Sequence, residues 1–129
     1  MTRKEEVERI ILGTLLNNRN VLSECTGSIT LDMFSNDDNK RIYAKIVEYS
    51  NYIFSDITPA SIIDYDNSMI DLAQYMCELA SDYDFETKKL RYNTNLYYYS
   101  KEQYPNYTTV EFSDYVTRFV QLYVESIAN

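Results

Sequence analysis

Between Phe112 and Ile127 the residues Phe112, Tyr115, Val116, Phe119, Val120, Tyr123, Val124 and Ile127 fall at i, i+3, i+4 and i+7 without a break. A strand needs alternation every second residue, so this run can gather its apolar side chains on one face only as an α-helix. Ser113 is its expected N-cap, with Asp114 beside it and Phe112 as the apolar residue of a hydrophobic staple.

The same period governs most of the chain. From Lys4 to Asn17 the positions Val7, Ile10, Ile11, Leu12, Leu15 and Leu16 predict a helix, and Glu5, Glu6 and Glu8 occupy the first turn, where the macrodipole favours them. Gly13 inside it costs about 1 kcal/mol relative to alanine, which implies that another helix comes close there. A short helix is expected from Asn20 to Cys25, ended by Gly27. Thr30 reads as the cap of a turn Leu31 to Phe34, and Ser35 or Asn36 as the cap of a longer helix carrying Ile42, Tyr43, Ile46, Val47 and Tyr49. Thr58-Pro59 opens another, ending near Asp66. Ser68 precedes about three helical turns with Ile70, Leu72, Ala73, Tyr75, Met76, Leu79 and Ala80. The expected fold is all-α: a compact bundle of about six short helices with a C-terminal amphipathic helix. At 129 residues it should form one core. Residues 1–110 would make the helical domain, and residues 111–129 a helix packing on it or on a partner.

What the chain lacks excludes most catalysis. With no His, Ser-His-Asp and Cys-His chemistry and His-containing zinc sites are impossible. Gly13 and Gly27 are the only glycines, so neither a P-loop nor a Rossmann turn can form. Two acidic clusters, Asp64-Asp66-Ser68 and Asp82-Asp84-Glu86, resemble the start of a calcium loop. At the required Gly and Glu positions, however, the first has Met69 and Tyr75 and the second Thr87 and Asn93. They read as solvated loop and cap carboxylates. No catalytic residue, cofactor or metal is assigned, and the chain is not expected to be an enzyme.

The net charge of -8 repels phosphate backbones overall. No window approaches the roughly 18 apolar residues of a membrane span, and Met1 to Glu6 turns acidic where a secretory signal turns apolar, so the expected location is the cytoplasm, with no membrane partner. Cys25 and Cys77 are expected to be buried, reduced thiols. The charge is uneven. Thr30 to Glu86 holds twelve acids and three bases, whereas Thr87 to Thr109 is locally basic, crowded with tyrosines and without helical period. This second stretch is expected to form a loop or short strand pair, able to dock on the acidic body.

The ordered series resembles the N-terminal domain of DnaB-type bacterial replicative helicases. Glu8-Arg9-Ile10-Ile11-Leu12-Gly13-Thr14-Leu15-Leu16 is similar to that family's opening helix, and Leu31-Asp32-Met33-Phe34 to its "pro-glu-asp-phe" turn. Asn39 to Ile46, Asp56 to Ile62 and Leu72 to Ala80 look like the helices that follow, and Tyr115-Val116-Thr117-Arg118-Phe119-Val120 like the start of its helical hairpin. The sequence departs from the family pattern in having no return helix, no ATPase motor and a longer, Tyr-rich stretch at 87–109, so unwinding activity is not carried over. The resemblance implies a non-catalytic protein-interaction module in DNA replication. It implies self-association, for instance as a dimer, or contact with primase, a helicase loader or the replicative helicase. A decoy that copies the domain fits the same features.

The terminal helix offers the candidate interface, Tyr115, Phe119, Leu122, Tyr123 and Ile127, although such a face can equally close the domain's own core. The alternative function is single-stranded nucleic-acid binding through Lys88, Lys89, Arg91, Tyr97, Tyr98 and Tyr99, which combine stacking rings with basic side chains.

Overall fold

The fold is organised around one helix whose C-terminal half is buried on every side. In the computed structural model, which describes residues 1–84, 89–90 and 112–128, α1 spans Arg3–Leu15. A capping box starts it: the Thr2 hydroxyl accepts from the Glu5 N–H at 3.1 Å, and the Glu5 carboxylate accepts from the Thr2 hydroxyl and N–H. Val7, Ile10, Ile11, Leu12, Leu15 and Leu16 are all buried. A helix buried all round must have neighbours all round.

Those neighbours are α2 (Asp37–Tyr52), α4 (Ala73–Ser81) and α5 (Phe112–Ile127), with α3 (Pro59–Tyr65) bracing α2 and α4. Against α4 the approach is very close. A Cβ on Gly13 would lie 2.2 Å from the Leu79 carbonyl oxygen, so the expectation drawn from that glycine holds: only a hydrogen lets α4 sit there. The Asn17 amide locks the same junction, donating to the Gly13 and Ala80 carbonyls at 2.8 and 2.7 Å. The Arg9 guanidinium meets Asp82 at 3.1 Å at the far end of α4.

Against the start of α2 the contact is polar. The Glu8 carboxylate is fully buried. It accepts from the Ser35 N–H and the Asn39 amide at 2.9 Å each, from the Ser35 hydroxyl and from the Lys4 ammonium at 3.0 Å. Four donors satisfy it, which is what a buried charge requires. The Tyr75 hydroxyl extends the network from α4 by donating to Asn39 at 2.5 Å.

The other caps follow from local chemistry. Asn36 accepts from the Asn39 N–H at 2.8 Å to open α2, with Asp37 and Asp38 in the first turn. At the other end Arg19 donates to the Ser50 and Ser55 carbonyls at 2.7 and 2.8 Å. Thr58 and Ser61 cap α3 reciprocally around Pro59.

Three segments form 3-10 helices: Arg19–Glu24, Leu31–Met33 and Asn67–Leu72. The first is the short helix expected there, wound as 3-10. The last shortens the three-turn helix expected from Ser68, because the Asp66 carboxylate accepts from both the Ser68 N–H and hydroxyl and winds that turn tightly. Two strands of two residues, β1 (Tyr83–Asp84) and β2 (Lys89–Leu90), pair antiparallel after α4. The architecture is therefore all-α, with five α-helices among the described residues.

The thiols differ from expectation in one respect. Cys25 is buried, and burial pushes its thiol up to about 12. Cys77 is exposed, because α4 turns Met76 and Leu79 inward and leaves Cys77 on its outer side. Both are free.

Candidate protein interface

The terminal helix α5 lies on α1. Phe112, Tyr115, Val116, Phe119 and Leu122 face the core, and the Phe119 ring stacks on Phe34, which stacks on Tyr43, at centroid distances of 5.2 and 5.0 Å. Ser113 falls inside the first turn of α5 and not before it, since the helix already includes Phe112.

Of the five candidate interface residues, Tyr115, Phe119 and Leu122 are thus buried within the chain itself. Tyr123 is half-buried, and Ile127 is 64% exposed. A partner approaching this structure meets Tyr123 and Ile127, together with Val124 one turn before the latter.

Tyr123 fastens α5 to the 31–33 turn. Its hydroxyl donates to Asp32 at 3.2 Å, and that bond raises the Tyr123 hydroxyl above the ordinary phenol range. The Thr30 hydroxyl also donates to Asp32 and, as the larger cause, holds its carboxyl below the usual carboxylate range. The Lys4 ammonium sits over the Phe119 and Tyr123 rings at 5.2 and 6.0 Å from their centroids. An open trough of about 700 Å³ runs between the first turn of α1 and the last turns of α5, lined by Lys4, Phe34, Leu122 and Tyr123 among others.

The alternative set falls almost wholly outside the described residues. Lys88, Arg91, Tyr97, Tyr98 and Tyr99 lie outside the described residues, and Lys89 enters only through the backbone of β2, opposite Asp84.

A second concave surface was not marked by sequence. The outward face of α2 and residues 26–31 enclose a groove of about 430 Å³, with Ala44 and Val47 on its floor. The Tyr43 hydroxyl crosses beneath it to donate to the Ile29 carbonyl at 3.2 Å, which fixes one wall to the other. Leu31 and Tyr52 stand on its rim, 45% and 72% exposed. Beyond it Phe54 is 89% exposed, its ring faced by the Arg19 guanidinium at 5.8 Å. The available signal was the width of the α2 stripe: Ile42, Tyr43, Ile46, Val47 and Tyr49 cover more than one side of a helix.

One acid of each acidic cluster is held in an ion pair, and Glu86 lies outside the described residues. Asp66 meets the Lys45 ammonium at 2.7 Å, which brings its carboxyl down to about 2, while Asp82 pairs with Arg9. Among the described residues no group of three or more carboxylates or thiols is placed to hold a metal ion.

Residues 1–96 match the family described as the DnaB-like helicase N terminal domain. The chain belongs to that family. No curated protein and no solved structure matches it significantly. The matched part of this DnaB-like domain includes α1 to α4, with the Glu8 network and the Gly13 contact, and stops short of α5. The helical architecture agrees with the family, and among the described residues no helix is long and apolar enough to cross a membrane.

Proposed function

We propose that the chain is a non-catalytic protein-interaction module of DNA replication, acting in the cytoplasm. It would work by self-association or by contact with primase, a helicase loader or the replicative helicase. The observation that carries this reading is the family match over residues 1–96. The exposed apolar side chains Leu31, Tyr52, Phe54, Val124 and Ile127 support it, since such residues gain most from burial against another protein. Tyr123 and Ile127 are the members of the α5 candidate set that such a partner would meet directly.

The test is co-elution of the intact chain with purified replicative helicase, primase and loader from its host, with mass measured by light scattering. The expected result is a complex with one of the three, or a concentration-dependent dimer. A strict monomer that ignores all three contradicts the proposal. Oligonucleotide binding that weakens steeply with salt would favour nucleic acid as the ligand instead.

A further inference from the structure

We propose that the groove between residues 26–31 and α2 receives a short amphipathic helix of a partner protein, one that carries lysine or arginine beside its apolar stripe. This rests on the interaction-module reading and names the surface and the chemistry of its occupant.

The groove is built before any partner arrives. The Tyr43–Ile29 hydrogen bond ties its walls together, and the paired turns Ser28 N–H and Ile29 N–H to Cys25 C=O hold the 26–31 segment at 2.9 and 2.8 Å. A preformed site costs little ordering on binding. Its floor is apolar at Ala44 and Val47, and Leu31 and Tyr52 rise on its rim with much of their surface open. Exposed aromatic and aliphatic anchors around a concave floor are where binding energy concentrates.

The form of the occupant follows from the walls. Neither is a strand edge, so an extended peptide would find no backbone ladder to join. From Tyr43 to Tyr52, α2 rises about 14 Å at roughly 1.5 Å per residue, which matches about two and a half turns of a helix laid beside it. Such a helix would place apolar residues at i, i+4 and i+7 between Leu31 and Tyr52.

Its charge follows from the rim. Glu48 lines the groove, and its hydrogen bonds with Lys45 and Tyr65 hold the carboxyl below the usual range, so it is ionised at neutral pH. Glu24 and Asp32, both exposed, flank the 26–31 wall in sequence, Asp32 with its carboxylate also bonded by Thr30 and Tyr123. Lys45 is shared between Glu48 at 3.1 Å and Asp66 at 2.7 Å, two acids to one base, and Arg41 is 2.8 Å from Asp71. Lys40, on α2 one turn before Ala44, acts on Asp32, and over residues 1–84 fifteen acids still outnumber seven bases. A basic helix is drawn to such a rim and an acidic one is turned away.

Panning a display library of helical peptides against the intact chain reads both features. The expected winners carry an i, i+4, i+7 apolar stripe and a net positive charge. Their affinity should drop about tenfold or more on Ala44→Arg, which fills the floor with a like charge, and on Tyr52→Ser, whose exposed site leaves folding intact. Ile70→Ser, at an exposed apolar site outside the groove and outside α5, should leave it unchanged. Acidic or neutral winners, no enrichment, or equal binding to both groove variants would overturn the proposal. So would a wild-type dimer that Ala44→Arg converts to monomer, because the groove would then belong to a second copy. If Ala44→Arg retains association with helicase, primase or loader, this surface fails while the interaction-module reading stands. If the wild type associates with none of them, that reading fails separately.

Discussion

Glu8 and Gly13, five residues apart on α1, show how much single positions decide here. Gly13 leaves no room for a methyl group, since the Leu79 carbonyl is 2.2 Å from where it would stand. Gly13→Ala should therefore lower stability in urea unfolding by up to about 2 kcal/mol, because an overpacking cost of about 1–3 kcal/mol against backbone is set against roughly 1 kcal/mol gained in helix propensity. An unchanged or raised midpoint would show that α4 can back away. Glu8→Ala strips a buried ion from Lys4 and leaves the Asn39 amide and Ser35 N–H without their acceptor. A loss of about 3–5 kcal/mol is expected by the same assay. Asp66 sets a pH dependence. Its folded carboxyl is depressed to about 2 from about 3.8, so its contribution is fully present above about pH 4 and is lost as pH falls toward 2. Asp66→Asn should flatten the acid limb of the stability curve in that window, and a limb identical to wild type would contradict the pairing with Lys45.

At the scale of elements, the sequence was most legible where one face is apolar and the caps are unambiguous. The α1 period, the Asn36 cap and the Thr58-Pro59 start each correspond to a helix that begins where its side chains predict. Legibility failed at Ser68 to Leu72; at Asn20 to Cys25, where a short helix was expected and is present, only its type was hidden. There apolar spacing suits an α-helix, but Asn18 and Asp66 bind N–H groups two residues on and tighten the turn to 3-10. Period alone also cannot say whether a stripe meets its own core or another protein, so the inward burial of Tyr115, Phe119 and Leu122 was open in the sequence. The groove on α2 was equally hidden, because its second wall comes from the 26–31 turn. The packing of α5 makes its own prediction. Phe119→Ala removes a ring that packs on Phe34 and should cost about 3–5 kcal/mol, whereas Tyr123→Phe, which loses only an exposed bond to Asp32, should cost far less. Equal losses in thermal unfolding would mean that α5 is held by its polar clasp and not by its core face.

The whole molecule joins a core that closes on itself to a surface that does not. The seven bases of residues 1–84 are outnumbered by fifteen acids, and Lys4, Arg9, Arg41 and Lys45 are engaged by carboxylates of the same chain. An acidic body with exposed Leu31, Tyr52 and Phe54 suits protein partners far better than phosphate backbones. The family match accounts for the helices that build this body. The central claim is that the body exists to be held by another protein of replication. Light scattering on the intact chain, alone and mixed with host helicase, primase or loader, tests it most directly: a discrete complex or a concentration-dependent dimer is predicted, and a monomer indifferent to all three would contradict it.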